Sequence, residues 1–180
     1  DVSGKGIGAA MFMMKTITCF ENVVSINKTP AETLQEVNKK INEGNHNTMF
    51  VTCFYAILDT ITGELTYANA GHLPPVVGTK HHYRFLNQRP GFVLAAMKDI
   101  TFNNEKIQMA PGDSIMLYTD GITEAKNKDG KLYTDLALIN LFNNCESNSI
   151  TSLYQSLKTD LQEFTKDSDQ SDDITYLLLK

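Results

Sequence analysis

Three acidic places carry most of the chemical promise of this 180-residue chain. Asp1 stands before a loop containing Gly4, Gly6 and Gly8. Asp120 ends the apolar run in "LYTDGITEA", and the Asp172–Asp173 pair opens "SDDITYLLL". Each falls at a strand or loop end. Carboxylates at the tips of neighbouring strands can converge on one point, where like charges repel. A divalent cation relieves that repulsion, and all-oxygen ligation favours Mg²⁺ or Mn²⁺ over zinc.

Each place also has a plain structural reading. A strand ending in Asp-Gly is a common turn, and an acidic stretch before a strand is commonly a solvated loop. The glycine loop lacks the order of a phosphate-binding P-loop. Zinc has no obvious ligands: His81 and His82 are adjacent on an expected strand and so point to opposite faces. His72 in "NAGHLPP" suits a structural hydrogen bond at least as well as catalysis. No nucleophile elbow and no Cys-His spacing stands out. Residue types and spacing therefore lead to a divalent-metal site of carboxylates and stop there.

The elements that must position these residues follow from periodicity. Residues from about Ile7 to Ile26 are apolar on more than one side, which suits a helix buried between layers. In "TPAETLQEVNKKI", Thr29 caps, Pro30 takes the first helical position and Glu32 completes a capping box. Leu34, Val37 and Ile41 mark its buried face. "MFVTCFYAILD" and "ELTYANAG" read as a hairpin turned at Gly63, and "PPVV" with "HHYRFL" as a second hairpin around Gly78. Strands "ITFNNEKIQM" and "SIMLYTD" flank the turn "APGD". Helices follow at about 134–143 and 150–165, the second striped by Ile150, Leu153, Leu157, Leu161 and Phe164. "ITYLLLK" closes the chain as a well-buried strand. Paired helices on either side of a strand run predict an α+β sandwich rather than alternating βαβ units.

Composition narrows the class. The length suits one domain, and 42% apolar with 21% charged residues is ordinary for a globular protein. The formal charge of −5 argues against nucleic acid or an anionic membrane as a partner. No membrane span is evident, and the residues between Lys5 and Lys15 read as a helix rather than a cleavable leader. Cys19, Cys53 and Cys145 are odd in number and widely separated, so a reduced, cytoplasmic setting is expected.

Four stretches, taken in order, resemble one family: "DVSGKGIGAAMFM", "MFVTCFYAILDTITGELTYANAGHLPPVV", "PGDSIMLYTDGITEAKNKDG" and "SDDITYLLL". They are similar to the SpoIIE-type bacterial branch of the metal-dependent Ser/Thr protein phosphatases, the type-2C-like (PPM) family. The resemblance runs over residues 1–180 as one phosphatase domain and implies a four-layer αββα sandwich. It implies two Mn²⁺ or Mg²⁺ ions, held by the Asp1 carboxylate, the Val2 carbonyl, Asp120 and Asp172, with Asp173 close by. Asp1 and Asp120 are then the catalytic residues, and Asn69 and His72 shape a sheet end near the site. The implied reaction is hydrolysis of phosphoserine or phosphothreonine on a regulatory protein by a metal-activated water attacking in line, without a covalent nucleophile.

The family's usual substrate is an anti-anti-sigma factor, often of the STAS type, and its phosphatase is commonly joined to an upstream sensor or receiver module. Two departures stand out. The family's first strands and its "GGD"-like acidic segment are missing, which implies an N-terminally truncated domain with an exposed sheet edge that favours a homodimer. "RPGFVLAAM" also replaces the family's proline-leucine-glycine turn. An incomplete metal site would instead imply a non-catalytic binding module. A haloacid-dehalogenase-like phosphatase, with Asp120 as nucleophile, is disfavoured because Ile122 stands where a second aspartate belongs.

Overall fold

The computed structural model describes the whole chain except Ile26, Asn47, Lys80, His81, Gln88, Arg89, Pro90 and Ser171. Among the described residues the fold is α+β, with four helices and two antiparallel sheets. The chain divides into two compact units. The first holds Asp1–His72 and Arg89–Met109, and the second Leu73–Gln88 and Ala110–Lys180.

The first unit contains α1 (Ile7–Val23), α2 (Pro30–Asn42), β1 (Cys53–Leu58), β2 (Glu64–Ala70) and β5 (Glu105–Gln108). Its sheet has the order β1-β2-β5, with Cys53 opposite Ala70 and Leu65 opposite Ile107. α2 is built as its sequence predicts. The Glu32 amide donates to Thr29 Oγ1, and the Thr29 amide donates to the Glu32 carboxylate at 2.8 Å. Its buried face is Leu34, Val37 and Ile41, packed with Val51, Ala68, Ala70 and Leu94.

α1 departs from expectation. It buries Phe12, Thr16 and Val23, but Ile7 is 81% and Met11 69% exposed, with Met14 and Ile17 also outside. An all-round apolar sequence reads as a helix covered on all sides. Here only a narrow stripe along the helix is covered. Ile26, where the helix was expected to end, lies outside the described residues.

The second unit contains β3 (Val76–Thr79), β4 (His82–Phe85), β6 (Ser114–Tyr118), α3 (Asp135–Asn143), α4 (Ile150–Phe164) and β7 (Tyr176–Leu179). Its sheet order is β4-β3-β6-β7. α3 packs on β4, and α4 packs on α3 and β7. The core is Met116, Tyr118, Ile122, Leu138, Phe142, Leu153, Leu157 and neighbours. Gly78 is not the hairpin turn. It sits inside β3 opposite Tyr83, and a Cβ there would lie 2.3 Å from the Tyr83 ring and 2.6 Å from Ser114 Oγ. The glycine answers to close packing rather than to turn chemistry.

β7 is a second departure. It was expected to be well buried, yet Leu177 is 61% and Leu179 42% exposed. Its place at the sheet edge explains this, since among the described residues β6 alone pairs with it. The Asp172–Asp173 pair therefore lies in the loop that enters an outer strand.

Candidate metal centre

In the first unit the chain begins in an extended segment that pairs with residues 50–52. Asp1 and Thr52 exchange both main-chain hydrogen bonds, at 2.9 and 2.8 Å, and the Ser3 amide donates to the Phe50 carbonyl at 2.9 Å. Val2 lies opposite Val51 between those bonds. In such a non-hydrogen-bonded pair, both residues' N–H and C=O groups point away from the partner strand. Val51 spends its own on Leu94, at 3.0 and 2.8 Å. The Val2 carbonyl is thus turned outward from the pair.

Gly4 (φ 80°) and Gly6 (φ 82°) then turn the chain into α1. Both sit in the left-handed region that side chains disfavour, with open space around them. Gly8 already lies within the helix.

The "NAGH" stretch folds back toward this segment. Asn69, nearly buried, clips the turn: its Oδ1 accepts from the His72 amide at 2.7 Å and its Nδ2 donates to the His72 carbonyl at 2.9 Å. His72 Nδ1 shares a 2.8 Å hydrogen bond with Thr52 Oγ1. The next residue, Cys53, has a thiol pushed up to about 11 by burial. In the altered "RPGFVLAAM" stretch, Arg89 and Pro90 lie outside the described residues. Gly91 donates to the Asn69 carbonyl at 3.1 Å, so close that a Cβ would meet it at 2.2 Å, and Leu94 anchors Val51.

In the second unit the two other acidic places come to adjoining strand ends. Pairing of Tyr118 with Tyr176 carries on past β6, where the Thr119 amide donates to the Thr175 carbonyl at 3.0 Å. The Thr119 hydroxyl donates to the Asp173 carbonyl at 3.0 Å and accepts from the Thr175 amide at 3.1 Å. Asp120, partly buried, opens a helical turn: its carbonyl accepts from the Glu124 amide at 2.8 Å. Gly121 is buried against the other strand's entry loop, in which the Asp172 carboxylate accepts from the Asp173 amide at 2.9 Å. Asp172 and Asp173 are exposed.

Asp120 and the Asp172–Asp173 pair therefore belong to one end of one sheet, and Asp1 with Val2 to the edge segment of the other unit. Among the described residues of either unit, no three His, Cys, Asp or Glu side chains are gathered as a metal cluster. The donor chemistry nonetheless fits a hard divalent ion, because every candidate atom is a carboxylate or carbonyl oxygen. Of the histidines weighed for zinc, His81 lies outside the described residues, as does Ser171 beside Asp172. Sequence reasoning missed Thr52 and Thr119. Each directly adjoins a buried or acidic position in a strand end, and its hydroxyl ties two segments together. A threonine beside each motif was the available signal. No helix among the described residues is long and apolar enough to cross a membrane.

Comparison with known proteins agrees with this architecture. The description Stage II sporulation protein E (SpoIIE) matches residues 1–180. Phosphoserine phosphatase RsbU of Bacillus subtilis is 29% identical over 184 residues, covering 100% of this chain and 53% of RsbU. Phosphoserine phosphatase RsbP of the same organism is 23% identical, covering 99% of this chain and 44% of RsbP. The chain thus spans about half the length of these relatives or less. Among solved structures, the SiaA-PP2C domain of Pseudomonas aeruginosa has a TM-score of 0.84 at 18% identity, covering 100% of this chain and 72% of that one. The RsbU and RsbW domains of Rv1364c from Mycobacterium tuberculosis give 0.79 at 25% identity, covering 99% and 49%. With its motifs on the strand ends of two antiparallel sheets and the match running from first residue to last, the chain belongs to the SpoIIE family of PPM phosphatase domains.

Proposed function

We propose that this chain is the phosphatase domain of a metal-dependent protein serine/threonine phosphatase, built as an αββα sandwich. Asp1, the Val2 carbonyl, Asp120 and Asp172 would hold two Mn²⁺ or Mg²⁺ ions, with Asp173 orienting the site. The observation that carries the reading is the approach of the Asp120–Gly121 turn to Asp173, which commits two acidic motifs distant in sequence to one sheet end. When bound, such ions lower the pKa of an attacking water and offset charge on the phosphoryl oxygens.

The chain's own residues supply the frame. Thr52 fixes the main chain of Asp1, the strand pairing turns the Val2 carbonyl outward, and Thr119 ties the loop of Asp173 to the end of β6. Carboxylates brought together there would repel one another, and a divalent cation would relieve that repulsion. The substrate would be phosphoserine or phosphothreonine on a regulatory protein, with a STAS-type anti-anti-sigma factor the leading candidate. An upstream sensor or receiver module would control it.

The test is hydrolysis of an aryl phosphate with and without Mn²⁺, beside an Asp120→Asn variant that leaves the fold intact by circular dichroism. Turnover that needs Mn²⁺ and disappears in the variant supports the enzyme. Mn²⁺ binding without turnover on aryl phosphate or on a phosphorylated STAS protein would point to a regulatory binding module.

A further inference from the structure

The "NAGH" stretch is elaborately built for a turn that no step of the proposed reaction uses. Asn69 clips His72 with both polar atoms of its side-chain amide. Gly71 takes φ 70°, and a Cβ there would meet Val93 Cγ1 at 2.6 Å. The outcome of this packing is a fixed imidazole whose Nδ1 shares a hydrogen bond with the Thr52 hydroxyl.

Thr52 is the partner that exchanges both main-chain hydrogen bonds with Asp1. Residues directly opposed in an antiparallel pair send their side chains to the same face, with Cβ atoms about 4.5–5.5 Å apart. The Asp1 carboxylate, the Thr52 hydroxyl and the His72 ring therefore share one face of the first unit.

We infer that His72 is a positioning residue for the Asp1 carboxylate, acting through Thr52. Its ring fixes the Thr52 rotamer, and Thr52 in turn fixes the strand end from which Asp1 projects. Groups that hold a metal-binding carboxylate in this way commonly change metal affinity about 10–100-fold when removed. The inference rests on the proposed role of Asp1 in metal binding.

The experiment is calorimetric titration of the full chain with Mn²⁺, with the thermal midpoint of each metal-free variant recorded alongside. Thr52→Val and His72→Gln should each weaken Mn²⁺ binding about tenfold. Thr52→Ser keeps the hydroxyl, and His72→Asn keeps a polar atom at the place of Nδ1, so both should bind Mn²⁺ close to the unaltered chain. The Thr52→Val/His72→Gln double variant should be no weaker than either single one, because both remove the same bond.

Unchanged Mn²⁺ affinity in Thr52→Val and His72→Gln, or losses that multiply in the double variant, would overturn the inference alone. So would failure of both conservative variants to restore binding when their metal-free midpoints match that of the unaltered chain. An unaltered chain that does not bind Mn²⁺ would overturn the proposed function as well, which separates the two failures.

Discussion

Gly121 lies so close to Asp173 that a Cβ placed on it would stand 2.3 Å from the Asp173 carbonyl oxygen and 2.9 Å from its carbon. Both contacts are with main chain, which cannot swing aside. The glycine of "TDG" is therefore required by the approach of two strand ends.

Gly121→Ala should push the Asp120 turn away from the Asp172–Asp173 loop. A displacement of this kind commonly costs about 10²-fold in turnover. Mn²⁺-dependent aryl phosphate hydrolysis, beside circular dichroism of the same sample, measures it. Full activity in a folded variant would show that the two acidic motifs need not be so close.

Asn38 is fully buried in α2 and binds the loop that follows Leu94. Its Oδ1 accepts from the Ala95 amide at 2.8 Å, and its Nδ2 donates to the carbonyls of Met97 and Lys98 at 2.8 and 3.0 Å. Asn38→Ala leaves those groups without their partner, at a cost of about 1–3 kcal/mol for a buried unsatisfied group. Urea unfolding of the two chains gives the difference directly, and an unchanged midpoint would contradict this account.

Stability should fall in alkali through Cys53. The folded chain holds that thiol's proton to about 11, against an ordinary 9.0, because burial opposes the thiolate. Between those values the unfolded chain releases a proton that the folded chain keeps. The contribution is complete below about pH 9 and is lost as pH rises toward 11. Cys53→Ala should flatten the decline in urea midpoint across this window. The phenols of Tyr67, Tyr118 and Tyr133, also held up first by burial from an ordinary 10.0, add a further decline that begins near pH 10 and continues above the Cys53 window.

The outer strand β7, with Leu177 and Leu179 exposed, should promote association between copies of this chain. Light scattering at rising concentration should show dimers or larger species, and Leu177→Lys should reduce them. A monomer at every concentration would refute association through β7.

Local order was legible in the sequence where short-range chemistry decides it. Thr29, Pro30 and Glu32 specify a helix start by hydrogen bonds spanning three residues, and the alternation in "ELTYANA" specifies a strand. The helices at 135–143 and 150–164 fall within a residue or so of the periodic pattern. The four motif stretches, in order, were enough to place the chain in its family.

Only the tertiary structure decided which segments meet. Whether an apolar helix such as α1 is covered, or a leucine-rich strand such as β7 lies inside or at an edge, depends on how many neighbours the topology supplies. Local composition does not encode that number. Gly78 and Gly121 look like turn residues in sequence, but each answers to an atom from another segment that a Cβ would strike. The same holds for Thr52 and His72. They stand twenty positions apart, and what joins them is the folding of one strand end over another. Residue type and spacing named the acids; contact between distant segments chose what holds them.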